Sequence, residues 1–504
     1  MAAYKDIGPR KWWATGAICL AAIAFSLDLT VLNLALPVLS SALHASTTQL
    51  QWIVDSYSLV LAVLTLPAGL FGDRYGRKRW MLIALVLFGL SSVLCAYSHS
   101  VAMLIVARLL LGLGAAFILP LAMSVIPVFF TTEEKPKAIA VLMGGVFLAY
   151  PLGPILGGWL LTHYWWGSVF LINVPIVLLA FIVISILLPE SKSSERHRID
   201  WMGILLSSVG LTGITYGAIE AGMKGWGSAS ALAPIAAGLA VLIGFYNWER
   251  SLIRKHRQPL VDLDLFHSKR FTWGTLLATS VNFSMFGLLF GIPQYFQSVE
   301  GRNALGAGYR LLAMIVGLIV GSIVSSRIVS KLGAKATIAL GFVIMAGALL
   351  AGAHTAIGSS DAFVLGWNGV VGIGLGFAMP SAIDAALGAL SPERSGAGSA
   401  LVTAIRQVGG TIGVGVLGSL LSANYRSDLH VSHLPTQAAA AARTGVEGGV
   451  AVAREIHSSA LLLDVRTAFV HGMDVMLGVS CGIALVAVVL CVLFLPNKEK
   501  SPEQ

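Results

Sequence analysis

The chain has 504 residues, of which 56% are hydrophobic and 11% are charged, and its formal net charge is +9. Because soluble globular proteins carry about 25% charged residues, this composition excludes a soluble domain and predicts an integral membrane protein. The basic residues fall in short segments between apolar runs, which fits the positive-inside rule and disfavours a nucleic-acid partner. The cysteines lie within apolar runs and predict small buried side chains rather than disulfides or a metal site; they are Cys19, Cys95, Cys481 and Cys491.

Fourteen apolar segments are each predicted to cross a bilayer as a helix, since about 20 helical residues span its hydrocarbon core. The predicted spans are 12–36, 50–70, 79–98, 102–127, 138–162, 167–188, 201–221, 229–248, 271–296, 307–329, 335–355, 361–388, 397–422 and 474–496. Lys and Arg concentrate in the inner loops when both termini are placed in the cytoplasm. The sequence therefore predicts a multi-pass protein of the cell inner membrane with both termini cytoplasmic.

Three charged residues lie inside predicted spans of the first third of the chain: Asp28 in span 1, Asp55 in span 2 and Arg108 in span 4. Helical rise places all three in the outer part of the bilayer, where ionised groups are costly and usually mark a path for ions or substrates. Two interpretations stay open. The charges form an ion pair that only fixes helix packing, or Arg108 holds a carboxylate ionised in one state and releases it for protonation in another.

The loop after span 2 combines glycines, a carboxylate and basic side chains in a closely spaced motif. Its residues are Gly69, Asp73, Arg74, Gly76, Arg77 and Lys78. Glycines allow helix ends to approach, the carboxylate can pair with a base or cap a helix, and the cations stay at the anionic inner leaflet. This loop is predicted to clamp one conformation as a cytoplasmic gate; a plain positive-inside loop is the alternative.

Span 5 contains a run of small residues and prolines at Gly153, Pro154, Gly157 and Gly158. Small residues three and four positions apart give a flat face that packs closely on another helix, and proline bends the span. Helix packing alone is the competing interpretation of this run.

The polar segments divide the chain into three predicted parts: an N-terminal six-helix bundle at 12–188, two extra helices with cytoplasmic linkers at 189–270, and a C-terminal six-helix bundle at 271–496. The loop at 326–335 weakly repeats the motif that follows span 2, which favours two related halves. The last part includes a long outer segment, 423–473. We expect helices there that cover the outer mouth, and a tolerated insertion is the alternative.

A second set of charges lies in the C-terminal part, with Asp384 in span 12 and Arg406 in span 13. Both lie toward the inner half of the bilayer. They are predicted to pair with each other, and direct contact with a substrate is the alternative.

Four segments together resemble the major facilitator superfamily, and more narrowly the fourteen-span drug:proton antiporters that export quaternary ammonium compounds and methyl viologen. They are Leu27-Asp28-x-Thr30-Val31-x-Asn33-x-Ala35-x-Pro37 in span 1, the loop motif after span 2, Arg108-x-x-x-Gly112-x-Gly114 in span 4 and Gly153-Pro154-x-x-Gly157-Gly158 in span 5. The resemblance implies an all-α membrane fold of two six-helix bundles plus two extra central helices. It also implies that residues matching Asp28, Asp55 and Arg108 act in proton coupling and cation recognition, and that the span 5 motif accompanies antiport.

The expected function is proton-coupled efflux of lipophilic, mainly cationic, small molecules by alternating access, with the proton gradient as energy source and no cofactor. No catalytic or metal-binding constellation and no Walker P-loop is found in the sequence, so an enzyme is not expected. Two alternatives stay open: a proton-coupled nutrient symporter or facilitator, which the span 5 motif disfavours, and a membrane-embedded enzyme or non-transporting scaffold. The expected partners are the substrates, protons and the lipid bilayer, and no nucleic acid.

Overall fold

The structure, a computed structural model, describes most of the chain. The described ranges are 10–131, 134–192, 200–255, 257, 259–261, 263–388, 390, 395–432 and 434–496. Regular structure in these ranges is helical throughout. The helices are α1 Arg10–Leu43, α2 Thr47–Tyr75, α3 Arg77–Ala96, α4 Val101–Phe129, α5 Lys135–His163, α6 Ser168–Leu171, α7 Asn173–Leu187, α8 Trp201–Lys224, α9 Ala229–Arg254, α10 Lys269–Gln294, α11 Ala304–Gly352, α12 Asp361–Leu387, α13 Ser395–Asp428, α14 Thr436–Ala442, α15 Val446–Glu455 and α16 Ser459–Phe494.

Within the described ranges, twelve helical segments are long and apolar enough to cross a membrane, two fewer than the fourteen predicted. Two features account for the difference. Predicted spans 307–329 and 335–355 run together in the 49-residue α11, where Gly333 with φ 79° and ψ 165° is the non-helical point. The other is α2, a 29-residue helix that is not among the twelve.

The chain divides into two compact units. The first comprises Met1–Ala35, Trp52–Thr212 and Leu239–Val261, and the second comprises Leu36–Gln51, Gly213–Gly238 and Asp262–Gln504. The predicted central part, 189–270, is shared between the two units because α8 and α9 each contribute residues to both. The predicted three-part division itself stays a prediction.

Close approach of helix backbones orients α4 within the first unit. A Cβ atom at Gly114 would lie 2.8 Å from the backbone N of Phe88 in α3, and a Cβ atom at Gly112 would lie 2.9 Å from the carbonyl O of Tyr57 in α2. Only glycine permits these distances. Because residues four apart share a helix face, the contact at Gly112 also turns Arg108 toward α2.

In the second unit, α11 and α12 pack through small residues. A Cβ atom at Gly341 would lie 2.7 Å from the backbone N of Ala378, and one at Gly374 would lie 2.7 Å from the carbonyl O of Gly341. Such small-residue contacts are the usual means by which membrane helices approach closely.

The outer segment 423–473 belongs to the second unit and contains the end of α13, the short helices α14 and α15, and the start of α16. The buried Tyr425 holds it through its hydroxyl, which donates to the carbonyl of Ala442 at 2.8 Å and lies 3.1 Å from that of Gly445. The backbone N–H of Thr47, in the same unit, donates to the carbonyl of Thr444 at 2.8 Å. That segment 423–473 covers an outer mouth stays a prediction.

Candidate proton and substrate site

A buried ion pair joins α1 and α4 in the first unit. Nη1 of Arg108 lies 2.6 Å from Oδ2 of Asp28, and the two side chains are 1% and 2% exposed. The guanidinium also donates from Nε to the carbonyl of Ile53 in α2 at 3.2 Å, and its central carbon lies 4.1 Å from the ring centroid of Tyr57. The arginine is therefore held by a carboxylate, a backbone carbonyl and an aromatic face at once.

Asp28 receives a second donor on its other oxygen. Nδ2 of the fully buried Asn173, the first residue of α7, donates to Oδ1 of Asp28 at 3.4 Å and to Oγ of Ser92 at 3.2 Å. Ser92 in turn donates to the carbonyl of Phe170 at 2.8 Å. Donors on both oxygens stabilise an ionised carboxylate. Sequence reasoning did not select Asn173 or Ser92; the available signal was a polar residue in each apolar span.

Asp55 lies in α2, two residues after the carbonyl that Arg108 binds. Its side chain is fully buried, and neither carboxylate oxygen has a hydrogen-bond partner among the described residues. Of the three predicted charges, the structure thus brings Asp28 and Arg108 together and leaves Asp55 buried without a polar partner in the described part of the chain.

The span 5 motif packs on α1 close to the ion pair. A Cβ atom at Gly153 would overlap Oγ1 of Thr30 and lie 2.8 Å from its Cβ, and one at Gly157 would lie 2.8 Å from Cγ1 of Val31. Pro154 lies inside α5, and Gly158 is buried. The motif therefore brings the face of α5 against α1 two and three residues after Asp28.

The loop motif forms the turn from α2 to α3. Gly76 adopts φ 121° and ψ 124°, a region that residues with a side chain rarely adopt, and this sharp turn lets α3 start at Arg77. Of the other motif residues, Gly69 lies in α2, where an added Cβ atom would meet nothing within 4 Å. The guanidinium of Arg74 lies 5.2 Å from the ring centroid of Tyr75, and the side chain of Asp73 lies outside the described residues.

The N-terminus of α3 has a carboxylate cap that sequence reasoning missed. Glu190, after α7, accepts from the backbone N of Lys78 on Oε1 and from that of Arg79 on Oε2, both at 3.1 Å. The backbone N of Arg77 donates to the carbonyl of Ser191 at 3.0 Å, and Nζ of Lys78 donates to the carbonyl of Ser185 at 2.7 Å. A carboxylate at a helix N-terminus satisfies free N–H groups and complements the helix dipole.

In the second unit, Arg406 contacts α10. Its Nη2 donates to Oδ1 of Asn282 at 3.2 Å, while Nδ2 of Asn282 donates to the carbonyl of Arg406 at 3.1 Å. Asp384 is exposed on α12, and its predicted pairing with Arg406 is not among the described contacts. The described part of the chain also places no group of three or more His, Cys, Asp or Glu residues where they could hold a metal ion.

Sequence comparison identifies close relatives over almost the whole chain. The tetracenomycin C resistance and export protein of Streptomyces glaucescens is 30% identical over 98% of this chain and 94% of its own length. The methyl viologen resistance protein SmvA of Salmonella typhimurium is 30% identical over 93% of this chain and 95% of its own. The multidrug efflux pump LfrA of Mycolicibacterium smegmatis is 30% identical, with 92% of each chain covered.

Solved structures share the fold. The inward-facing, unoccupied structure of a bacterial homolog to the human lysosomal transporter Spinster superposes with a TM-score of 0.69 at 17% identity, covering 96% of this chain and 97% of that one. A D-xylose-proton symporter gives a TM-score of 0.63 at 14% identity, covering 97% and 99%. The sequence model of one family, described as the Major Facilitator Superfamily, matches residues 18–414. With its helical fold, its apolar spans and this match, the chain belongs to the Major Facilitator Superfamily of membrane transporters.

Proposed function

We propose that this chain is a proton-coupled exporter of lipophilic, mainly cationic, small molecules in the bacterial inner membrane. The observation that carries the proposal is a fully buried Asp55 that has no hydrogen-bond partner among the described residues. It lies two residues after Ile53 of α2, whose carbonyl binds Arg108, and Arg108 is itself paired with Asp28. The relatives named for drug resistance and export support the direction of transport.

The two carboxylates have different surroundings. Asp28 accepts hydrogen bonds from Arg108 and Asn173, whereas an ionised Asp55 with no donor among the described residues would carry a large desolvation cost. We therefore assign the transported proton to Asp55 and leave Asp28 in its ion pair with Arg108. Loss of the proton from Asp55 leaves a buried negative charge that requires a cation nearby.

That requirement provides the coupling. The new charge on Asp55 is neutralised either by Arg108, which must then leave Asp28, or by a cationic substrate. Proton and cationic substrate thus compete for the same carboxylate, and competition for one site is what exchange of the two across a membrane requires. Methyl viologen resistance in one relative supports a cationic substrate class.

The same proposal includes fourteen spans. At 1.5 Å per residue, the 49 residues of α11 would extend over about 74 Å, more than twice the hydrocarbon core of about 30 Å. We therefore count α11 as two spans that meet at Gly333 and add α2 to the twelve. An even number of spans places both termini on one side, and the positive-inside rule makes that side cytoplasmic.

The test uses purified protein in proteoliposomes that contain a pH-sensitive dye. Addition of a lipophilic cation such as methyl viologen should move protons in the wild type. Asp55→Asn should reduce that proton movement by about a hundredfold or more, the size expected when a proton-transfer group is removed, and should weaken binding of the cation, because the carboxylate for which cation and proton compete is lost. Asp28→Asn should uncouple as well, because it leaves Arg108 without its carboxylate.

Glu220→Gln is the matched control, since Glu220 is a carboxylate of α8 that pairs with Lys224 of the same helix at 2.8 Å. It should couple like the wild type. Proton movement that is unchanged in Asp55→Asn would exclude Asp55 as the carrier, and substrate uptake without any proton movement in the wild type would exclude the antiport proposal.

A further inference from the structure

Two carboxyl groups meet where α8 begins and α9 ends, far along the chain from Asp28 and Asp55. Asp200 directly precedes α8, and Glu249 in α9 is 0% exposed. Oδ2 of Asp200 and Oε1 of Glu249 both lie beside Gly203 of α8. The proposed transport mechanism uses neither residue.

The donors around this pair do not satisfy both groups as anions. Oδ1 of Asp200 accepts from the backbone N of Gly203 at 3.0 Å, and the indole Nε1 of Trp248 lies 3.0 Å from Oδ1 and 3.1 Å from Oδ2. Oε2 of Glu249 accepts from the backbone N of Val261 at 3.1 Å. Oε1 of Glu249 is buried and has no donor among the described residues.

The free oxygen of Glu249 lies toward Asp200. A Cβ atom at Gly203 would lie 2.6 Å from Oε1 of Glu249 and would also overlap Oδ2 of Asp200. Both oxygens therefore crowd the same point on α8, and the absence of a side chain at Gly203 gives them room. Two acceptors so placed attract each other only when a hydrogen lies between them.

The charges of the described residues around the pair do not replace that hydrogen. Among the described residues of α9 and the following linker, Arg250, Arg254, Lys255 and Arg257 are exposed, and the charged group that faces Glu249 is Asp200. With no cation of the described residues facing them, two adjacent carboxyl groups repel each other when both are ionised. A metal is also disfavoured, because the described residues place no third metal-binding side chain there.

We propose that Asp200 and Glu249 form a proton-binding site in which one proton is shared between Oδ2 of Asp200 and Oε1 of Glu249. The site connects α9 to two other segments. Trp248 of α9 binds Asp200 at the start of α8, and Glu249 of α9 binds the backbone N of Val261 in the linker. A short 3-10 turn, Leu263–His267, connects that linker to α10. Loss of the proton introduces repulsion at Glu249 and loosens the linker ahead of α10.

Thermal unfolding of the full-length protein in lipid nanodiscs tests this site. A proton bound only by the folded state stabilises it at low pH, and that stability is lost as the pH rises. The melting temperature of the wild type should therefore fall between about pH 6 and about pH 9. Glu249→Gln should remove most of that fall, because its amide keeps an acceptor for Val261 and donates permanently to Asp200.

We therefore predict that Glu249→Gln, which lacks the buried carboxylate, has a higher melting temperature than the wild type at alkaline pH. Glu220→Gln, which alters a carboxylate paired within α8, should keep the wild-type slope and serves as the control. If Glu249→Gln melts lower than the wild type by the same amount at both pH values, the pair holds no proton and the site is only a packing contact.

Infrared difference spectroscopy supplies a second measurement. The wild type should show the C=O stretch of a protonated carboxyl that Glu249→Gln and Asp200→Asn both lose. Absence of that band together with stabilisation by added Na⁺ would overturn the proposal in favour of a cation site. Proton-coupled transport should continue in Glu249→Gln, so that failure of this site and failure at Asp55 are separately visible.

Discussion

Asp28 and Asp55 are the same residue type in neighbouring spans, and their surroundings differ in the number of donors. Asp28 has a guanidinium on one oxygen and an amide on the other, while Asp55 has no partner among the described residues. Arg108 also binds a carbonyl of α2 through Nε. The arginine therefore joins Asp28 of α1 to the backbone of α2 and is paired with only one of the two carboxylates.

Asn173 supports this arrangement by donating to both Asp28 and Ser92. Asn173→Ala should lower the free energy of unfolding by about 1.5–3 kcal/mol, the size expected for a hydrogen bond to a charged group, because Oδ1 of Asp28 and Oγ of Ser92 both lose a donor. Asn173→Asp should destabilise more, since it places a second carboxylate beside Asp28. Denaturant unfolding in detergent measures both.

Ser208→Ala is the control for Asn173, because the hydrogen bond described for the Ser208 hydroxyl stays within its own helix, to the carbonyl of Ile204 at 2.6 Å. A loss in Asn173→Ala no larger than in this control would mean that the amide does not support Asp28.

At the scale of elements, α5 positions the candidate site by packing against α1. The glycines of α5 are not equivalent: a Cβ atom at Gly153 would overlap Thr30, whereas one at Gly144 would meet nothing within 4 Å. The motif glycines therefore allow α5 to lie close to α1. A larger residue at either position should first displace the segment of α1 that contains Asp28.

Gly153→Ala should cost about 1–3 kcal/mol of stability, the usual range for forcing an extra methyl group into a packed contact. Gly144→Ala should be neutral or stabilising, because alanine favours a helix over glycine by about 1 kcal/mol. Thermal melting of the two variants side by side tests the difference, and equal melting temperatures would show that α5 does not constrain α1 at this point.

The outer segment provides a separate pH response through Glu447 of α15. Its side chain is buried, Oε1 accepts from Oγ of Ser298 at 3.2 Å, and Oε2 has no partner among the described residues. Burial raises the pKa of Glu447 to about 7 from an ordinary value of 4.5. Because the neutral form is favoured in the folded state, its stabilising effect is complete below about 4.5 and is lost as the pH rises to about 7.

Hydrogen exchange of α15, corrected for intrinsic rates, should therefore be slower at about pH 5 than at about pH 8. Glu447→Gln should make the corrected protection nearly independent of pH, because the amide is uncharged throughout and can still accept from Ser298. A wild-type α15 that exchanges equally at both pH values would contradict the assignment.

At the scale of the whole molecule, the sequence was sufficient to predict the family and to indicate one ion pair. The four motifs predicted the major facilitator superfamily, which the family match confirms. Opposite charges in two apolar spans indicated a pair, and the structure places Asp28 against Arg108. The proton and substrate roles of these residues stay predictions.

Other features of the site and of the fold could not be predicted from the sequence, for physical reasons. Asn173 is a small polar residue in an apolar span, and such residues often satisfy only their own backbone. Glu190 caps a helix that begins more than a hundred residues earlier, and no local pattern reports that distance. The polar stretch 326–335, which the sequence predicts to be a loop, is helical on both sides of Gly333, so the structure runs the two predicted spans together in α11.

The contacts between 76–79 and 190–191 have a further consequence for biosynthesis. Three backbone amides after Gly76 bind Glu190 and Ser191, so the stretch between them forms a ring closed by hydrogen bonds, and it lies entirely in the first unit. A chain made from its N-terminus can close this ring as soon as Ser191 has left the ribosome. Helices α3 to α7 can thus join end to end while most of the second unit is still untranslated, in keeping with the tendency of N-terminal parts to fold first during synthesis.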